Sequence, residues 1–106
     1  SWLTFIGTEL HKNFTPFFNP AATDEMKAIS RANIERRLGY VNEQLEGRAH
    51  LMGEDFTVAD AYLFTVLGWA RMIKLDLAPW PNVTAYQARV GARPAVQRAL
   101  KAEGLI

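Results

Sequence analysis

Leu3, Ile6, Leu10 and Phe14 recur at helical spacing and draw one apolar stripe along residues 1–14. Beside it runs a polar stripe of Thr4, Thr8, His11 and Thr15. The two stripes predict a helix with distinct faces and put His11 on the polar one. Pro16 and then Asn19-Pro20 stop the pattern and open a loop. Thr23 and Asp24 are suited to cap a long helix reaching about Leu45. Ile34, Leu38, Val41 and Leu45 form its buried edge. Lys27, Arg31, Glu35, Arg36, Asn42 and Glu43 cover the rest as a solvated face. Gly47 closes that helix, and residues 48–55 read as a connection with Gly53 inside it.

The third helix starts at Thr57. Thr57-Val58-Ala59-Asp60 has the make-up of a capping box: a hydroxyl at the N-cap and an acid three residues on, at the positive end of the helix dipole. From Val58 to Ile73 the apolar side chains lie almost all round, which predicts a central, buried helix over residues 57–74. It is too short, and too interrupted by Asp60 and Arg71, to span a membrane. Phe56 precedes the cap but faces only Ala61 at N4, so the hydrophobic staple is weak. Pro79-Trp80-Pro81 reads as a rigid extended turn, with Asn82 as the cap of a short helix through about Val90. Arg93-Pro94 begins a last helix, with Pro94 in its first turn and Gly104 as its stop. No stretch alternates as a strand does, and there is no internal repeat. The fold class is all-α: one domain over residues 1–106, about five helices around the third.

Composition narrows the chemistry. Hydrophobic residues make up 49% of the 106 and charged residues 22%, the balance of a folded globular chain. Lys and Arg number 12 against 11 Asp and Glu, which leaves no strongly basic face for a nucleic acid. With no cysteine, the chain holds no disulfide, thiolate metal site or cysteine nucleophile of its own. His11 and His50 are the two histidines, and Glu9 and His11 sit on different faces of one helix, so no metal site is expected. Ser1 and Ser30 lack a nucleophile context, and no phosphate-binding or dinucleotide motif occurs. Trp2, Phe5, Phe14, Phe17 and Phe18 crowd the first quarter and read as core and dimer packing. The sequence contains no secretory signal, and its opening on Ser1 within a helical pattern reads as a piece of something longer. Composition and spacing alone stop at a helical domain.

Several strings carry more. Phe5-Ile6-Gly7-Thr8-Glu9-Leu10-His11-Lys12-Asn13-Phe14-Thr15-Pro16 resembles the start of the helical domain of bacterial, beta-class glutathione transferases. Phe56-Thr57-Val58-Ala59-Asp60-Ala61-Tyr62-Leu63 is similar to the capping-box segment found across glutathione transferases. Leu67-Gly68-Trp69-Ala70, Leu75 to Leu77, Arg93-Pro94-Ala95-Val96 and Glu103-Gly104-Leu105 match the same pattern, so the resemblance spans nearly the whole chain.

The resemblance implies a cytoplasmic homodimer in which this domain follows a thioredoxin-like domain that binds glutathione, the co-substrate. It implies that His11 faces the glutathione sulfur as the catalytic histidine. Lys12 would help hold the glutathione carboxylate, and Glu9 would reach the amino end of glutathione in the partner subunit. Trp69 and Phe14 would lie near the pocket for a hydrophobic electrophile, with Thr57 and Asp60 structural. Thr4 stands where relatives often have Asn, which removes one cross-subunit contact. The implied activity is conjugation in detoxification, of which this chain alone would show little. No metal, nucleic acid or membrane partner is implied. The competing reading is a non-catalytic interaction module of the same fold, against which the His11-Lys12 pair argues.

Overall fold

A rod of four helical stretches opens the chain: α1 (Trp2–Phe5), a π-helical segment (Ile6–His11), α2 (Lys12–Phe14) and a 3-10 turn (Thr15–Phe18). The single α-helix expected over residues 1–14 is thus interrupted. The reason lies in its own stripe. Ile6, Leu10 and Phe14 step by four, and in a regular α-helix each such step drifts about 40° around the axis. The wider π turn, in which the Lys12 amide reaches the Gly7 carbonyl, takes up that drift. All three side chains end fully buried.

The computed structural model describes residues 1–102, so the stop expected at Gly104 lies outside the described residues. The second long element, α3 (Asp24–Gln44), begins as expected: the Thr23 hydroxyl accepts the Met26 amide at 3.1 Å. Ile34, Leu38 and Val41 are fully buried along it, and Gly47 adopts φ +72°, the left-handed conformation that ends the helix region.

Two residues expected on the solvated face of α3 do structural work instead. Arg31 donates to the carbonyls of Ile73 and Lys74, at 3.1 and 3.2 Å. Asn42 presents its Oδ1 to the backbone amides of Asn82 and Val83, at 2.8 and 3.2 Å. That corrects the expected role of Asn82. It lies inside α5 (Pro81–Gly91), whose N-cap is Trp80, and the cap is donated from α3 forty residues away. The Asn82 side chain binds the Asn42 carbonyl and Glu46 Oε2. The orphan amides of a helix start need an acceptor, and any acceptor close in space serves.

The third helix is central but not apolar-buried on every side. α4 (Val58–Gly68) passes into a 3-10 turn (Trp69–Arg71), and the chain reverses at Lys74 with φ +58°. Ala59, Asp60, Leu63, Val66 and Leu67 are buried against the opening rod and α5. Val58, Ala61, Thr65 and Gly68 form an exposed arc, with Val58 69% exposed. Met72, also expected in that buried helix, is 67% exposed. α6 (Pro94–Ala102) rests on the core through Val96. Among the described residues there is no strand, only an isolated bridge between His50 and Gly53.

Candidate functional site

The π turn ends at His11, and α4 receives that side chain. His11 Nδ1 and the Tyr62 hydroxyl are 2.6 Å apart, across 51 positions of sequence. The imidazole also meets Trp69 edge to face, centroids 4.9 Å apart and planes at 79°. Trp69 in turn takes Phe14 and Phe18 edge to face at 5.9 and 5.8 Å. Edge-to-face geometry is the favoured approach of aromatic quadrupoles, so this group of rings is a preferred arrangement. His11 is half-buried, with one ring nitrogen engaged and its ring pinned between two aromatics. Nε2 has no hydrogen-bond partner among the described residues.

The other expected site residues divide around it. Phe14 is fully buried and meets Trp69 edge to face, and Trp69 itself is half-buried. Lys12 is exposed, with its ammonium unpaired among the described residues. Glu9 turns to α3, not to α4: its carboxylate meets Arg37 at 3.4 Å, and Asn13 donates to its carbonyl at 2.7 Å. Asn33 donates to Asn13, and Arg36 to Asn33, so a polar chain runs along that seam. Sequence reasoning missed Tyr62 and Phe18. Tyr62 lay inside the quoted capping-box segment, but nothing local marks it as the partner of a residue on another helix.

At the start of α4, two residues before Tyr62, Asp60 is wholly buried and faces no cation within salt-bridge distance. Its Oδ2 accepts the Thr57 amide at 2.9 Å and the Thr57 hydroxyl at 3.3 Å, which closes the expected capping box. Its Oδ1 accepts the Leu51 amide at 3.0 Å and the Tyr86 hydroxyl at 2.7 Å. Burial by itself would raise the carboxyl pKa. The Leu51, Thr57 and Tyr86 hydrogen bonds, with His50 nearby, outweigh it and leave the value below 3.8. The Tyr86 phenol is pushed the other way, above its ordinary range, by burial and then by its bond to that carboxylate. His50, given no role from sequence, is buried with Nδ1 on the Glu54 carbonyl at 2.9 Å. Phe56, deprived of a staple, packs edge-on to His50, and the Arg93 guanidinium lies 4.1 Å from its ring centroid.

Two clefts flank this framework. One of about 410 Å³ is lined by Ser1, Trp2, Phe5, Tyr40 and Gln44; the other, about 330 Å³, lies at the end of α4 beside Arg71 and Gln87. Neither reaches His11. Among the described residues no group of three metal-ligating side chains comes together, and no helix is long and apolar enough to cross a membrane.

The fold and the sequence both have counterparts among known proteins. Residues 5–94 match the family of the glutathione S-transferase C-terminal domain. The chain is 51% identical over 104 residues to glutathione S-transferase GstA of Escherichia coli O157:H7, covering 98% of this chain and 52% of that protein. It superposes on a ternary complex of BphK, a bacterial glutathione S-transferase, with a TM-score of 0.95 and 55% identity, over 98% of this chain and 52% of that one. It superposes on the beta-class enzyme of Sphingomonas chungbukensis with a TM-score of 0.93 and 42% identity, over 99% of this chain and 52% of that one. The chain therefore spans about half the length of these relatives. By sequence and by fold alike, it belongs to the glutathione S-transferase C-terminal domain family and resembles its bacterial beta-class members.

Proposed function

We propose that the protein containing this chain is a cytoplasmic glutathione transferase that joins the glutathione thiolate to hydrophobic electrophiles. The observation that carries the reading is the half-buried imidazole of His11, held by Tyr62 and Trp69 with one nitrogen unpartnered. An imidazole N–H beside the glutathione sulfur donates to the thiolate better than to the thiol, and so favours ionisation. Each unit by which the thiol pKa falls is worth about 1.4 kcal/mol. The thiolate attacks the electrophilic carbon, the new S–C bond forms as the leaving group departs, and the thiol proton passes to solvent. Lys12, a compact and unpaired ammonium, suits a glutathione carboxylate. Trp69, backed by Phe14, offers an apolar face against which the electrophile is held close to sulfur. Glu9 is anchored by Arg37, and from there it would reach the amino end of glutathione in a second subunit.

The thioredoxin-like half of the relatives would supply the main glutathione site, and the protein would act as a homodimer. Met26, Ile29 and Tyr40 share one face of α3 and stay exposed, as does Leu3. The cytoplasm is where glutathione is kept reduced.

The test is conjugation of glutathione to a chloronitrobenzene by the full-length protein and its His11→Ala variant. We expect turnover to fall about 100-fold with glutathione affinity nearly unchanged. Equal turnover would take His11 out of the mechanism, and no turnover by the full-length protein would sink the reading and leave the interaction-module alternative.

A further inference from the structure

Among the described residues Tyr62 is the one polar group that the fold aims at His11 from another element, and the resemblance assigned it no role. We propose that Tyr62 is a positioning residue: its hydroxyl donates to His11 Nδ1 and so fixes the imidazole as the tautomer with its proton on Nε2. The proposal deepens the transferase reading and rests on it for the consequence to catalysis, though not for the tautomer itself.

The geometry supports donation in that direction. The separation of 2.6 Å is that of a strong O–H···N bond, and a neutral imidazole lone pair is a better acceptor than a phenol oxygen. In a neutral ring one nitrogen must carry the proton, and which one is decided by the bond the other makes. If Nδ1 accepts, Nε2 is the donor. That nitrogen is the one with no partner among the described residues. The charged groups nearest in sequence do not compete for Nδ1: Glu9 is held by Arg37, and Lys12 is exposed. Nor is Tyr62 free to turn away, since its ring is half-buried on α4 and meets the imidazole edge-on at 5.8 Å and 76°.

The consequence is a division of labour. A histidine with Nε2–H facing sulfur acts as a hydrogen-bond donor that holds the thiolate; one with a bare Nε2 would act as a base. By committing the tautomer in advance, Tyr62 selects the first and removes the need to reorganise the ring when glutathione arrives.

The test pairs two readouts on wild type and Tyr62→Phe, which keeps the ring and its packing. Nitrogen-15 NMR of the His11 ring under mildly alkaline conditions should show the Nε2–H tautomer dominant in wild type and a mixture in Y62F. A wild-type ring with its proton on Nδ1, or a Y62F spectrum unchanged from wild type, overturns the proposal. In the full-length protein, Y62F should lower kcat about tenfold, leave the KM for glutathione nearly unchanged, and add nothing in a His11→Ala background. An additive loss in that double variant would mean that Tyr62 acts on substrate directly, and the positioning role falls. Should the full-length protein fail to conjugate glutathione while the NMR result holds, the transferase reading fails and the tautomer assignment stands.

Discussion

Two polar groups meet α4 inside an apolar surround, its own Asp60 and the His11 that Tyr62 and Trp69 hold, and they are built on opposite plans. At Asp60 each carboxylate oxygen is occupied: Oδ2 by Thr57, Oδ1 by Leu51 and Tyr86. At His11 one nitrogen is taken by Tyr62, and the other is left without a partner among the described residues. A saturated buried group has nothing to offer a ligand, and all its bonding goes into holding elements together. An unsaturated one, steered by rings, has a donor left to give. The same helix clamps its neighbours through Asp60 and holds His11 through Tyr62.

Breaking the clamp should have the largest effect. Asp60→Ala strands the Leu51 amide, the Thr57 amide and the Tyr86 hydroxyl, so the loss goes beyond the roughly 1 kcal/mol of a helix cap. We expect about 3 kcal/mol or more, and Tm lower by roughly 15 °C in thermal unfolding. An unchanged Tm would refute the clamp. His11→Ala should do the reverse: the 100-fold loss of turnover already described, with Tm shifted by no more than a few degrees. Trp69→Ala sharpens the contrast by touching both properties. It removes edge contacts to His11, Phe14 and Phe18, and should cost about 2 kcal/mol in urea unfolding as well as activity. If stability alone falls, Trp69 belongs to the core and not to the site.

Acid and alkali test the clamp more gently. The Asp60 carboxyl is depressed in the folded protein, so the unfolded chain binds more protons as pH falls through 3.8. Its contribution is present above that pH and is lost below it. Tyr86 is raised, so folded protein keeps a proton that the unfolded chain gives up above pH 10.0, and stability should fall again there. Urea midpoints across the pH range should show both limbs, and Asp60→Asn should flatten the acid one. The smallest effect is expected at the seam: Arg37→Ala breaks a partly exposed pair with Glu9 and should move stability by no more than about 0.5 kcal/mol.

What the sequence disclosed follows the range of each interaction. Thr57 and Asp60 were legible because a capping box closes over three residues, and the Thr23 cap for the same reason. The Asp60 to Tyr86 bond spans 26 positions and the His11 to Tyr62 bond 51, and no periodicity reports on either. Asn42 and Arg31 looked like solvent-facing polar residues because a helical wheel records polarity and not what lies opposite. The overestimate of the buried arc of α4 has a related cause. Val58, Ala61 and Gly68 are apolar or small, and counting them as core ignores that the rod and α5 cover only part of the circumference. Glu9, Lys12 and His11 took their roles from resemblance alone. Their spacing says that they occupy different azimuths, and the structure turns Glu9 to α3, His11 to α4 and Lys12 outward.

The π turn gives the opening rod a change of phase. Upstream of it, Trp2 and Phe5 stack with Tyr40 of α3, at 6.1 and 5.2 Å; at its end, His11 meets Tyr62 and Trp69 of α4. A rod of uniform pitch keeps one timing along its whole length, whereas this one is advanced partway, as a cam is offset on its shaft. Regular α pitch over the same residues from Ile6 to His11 would leave the composition untouched and carry His11 about a quarter turn away from Tyr62.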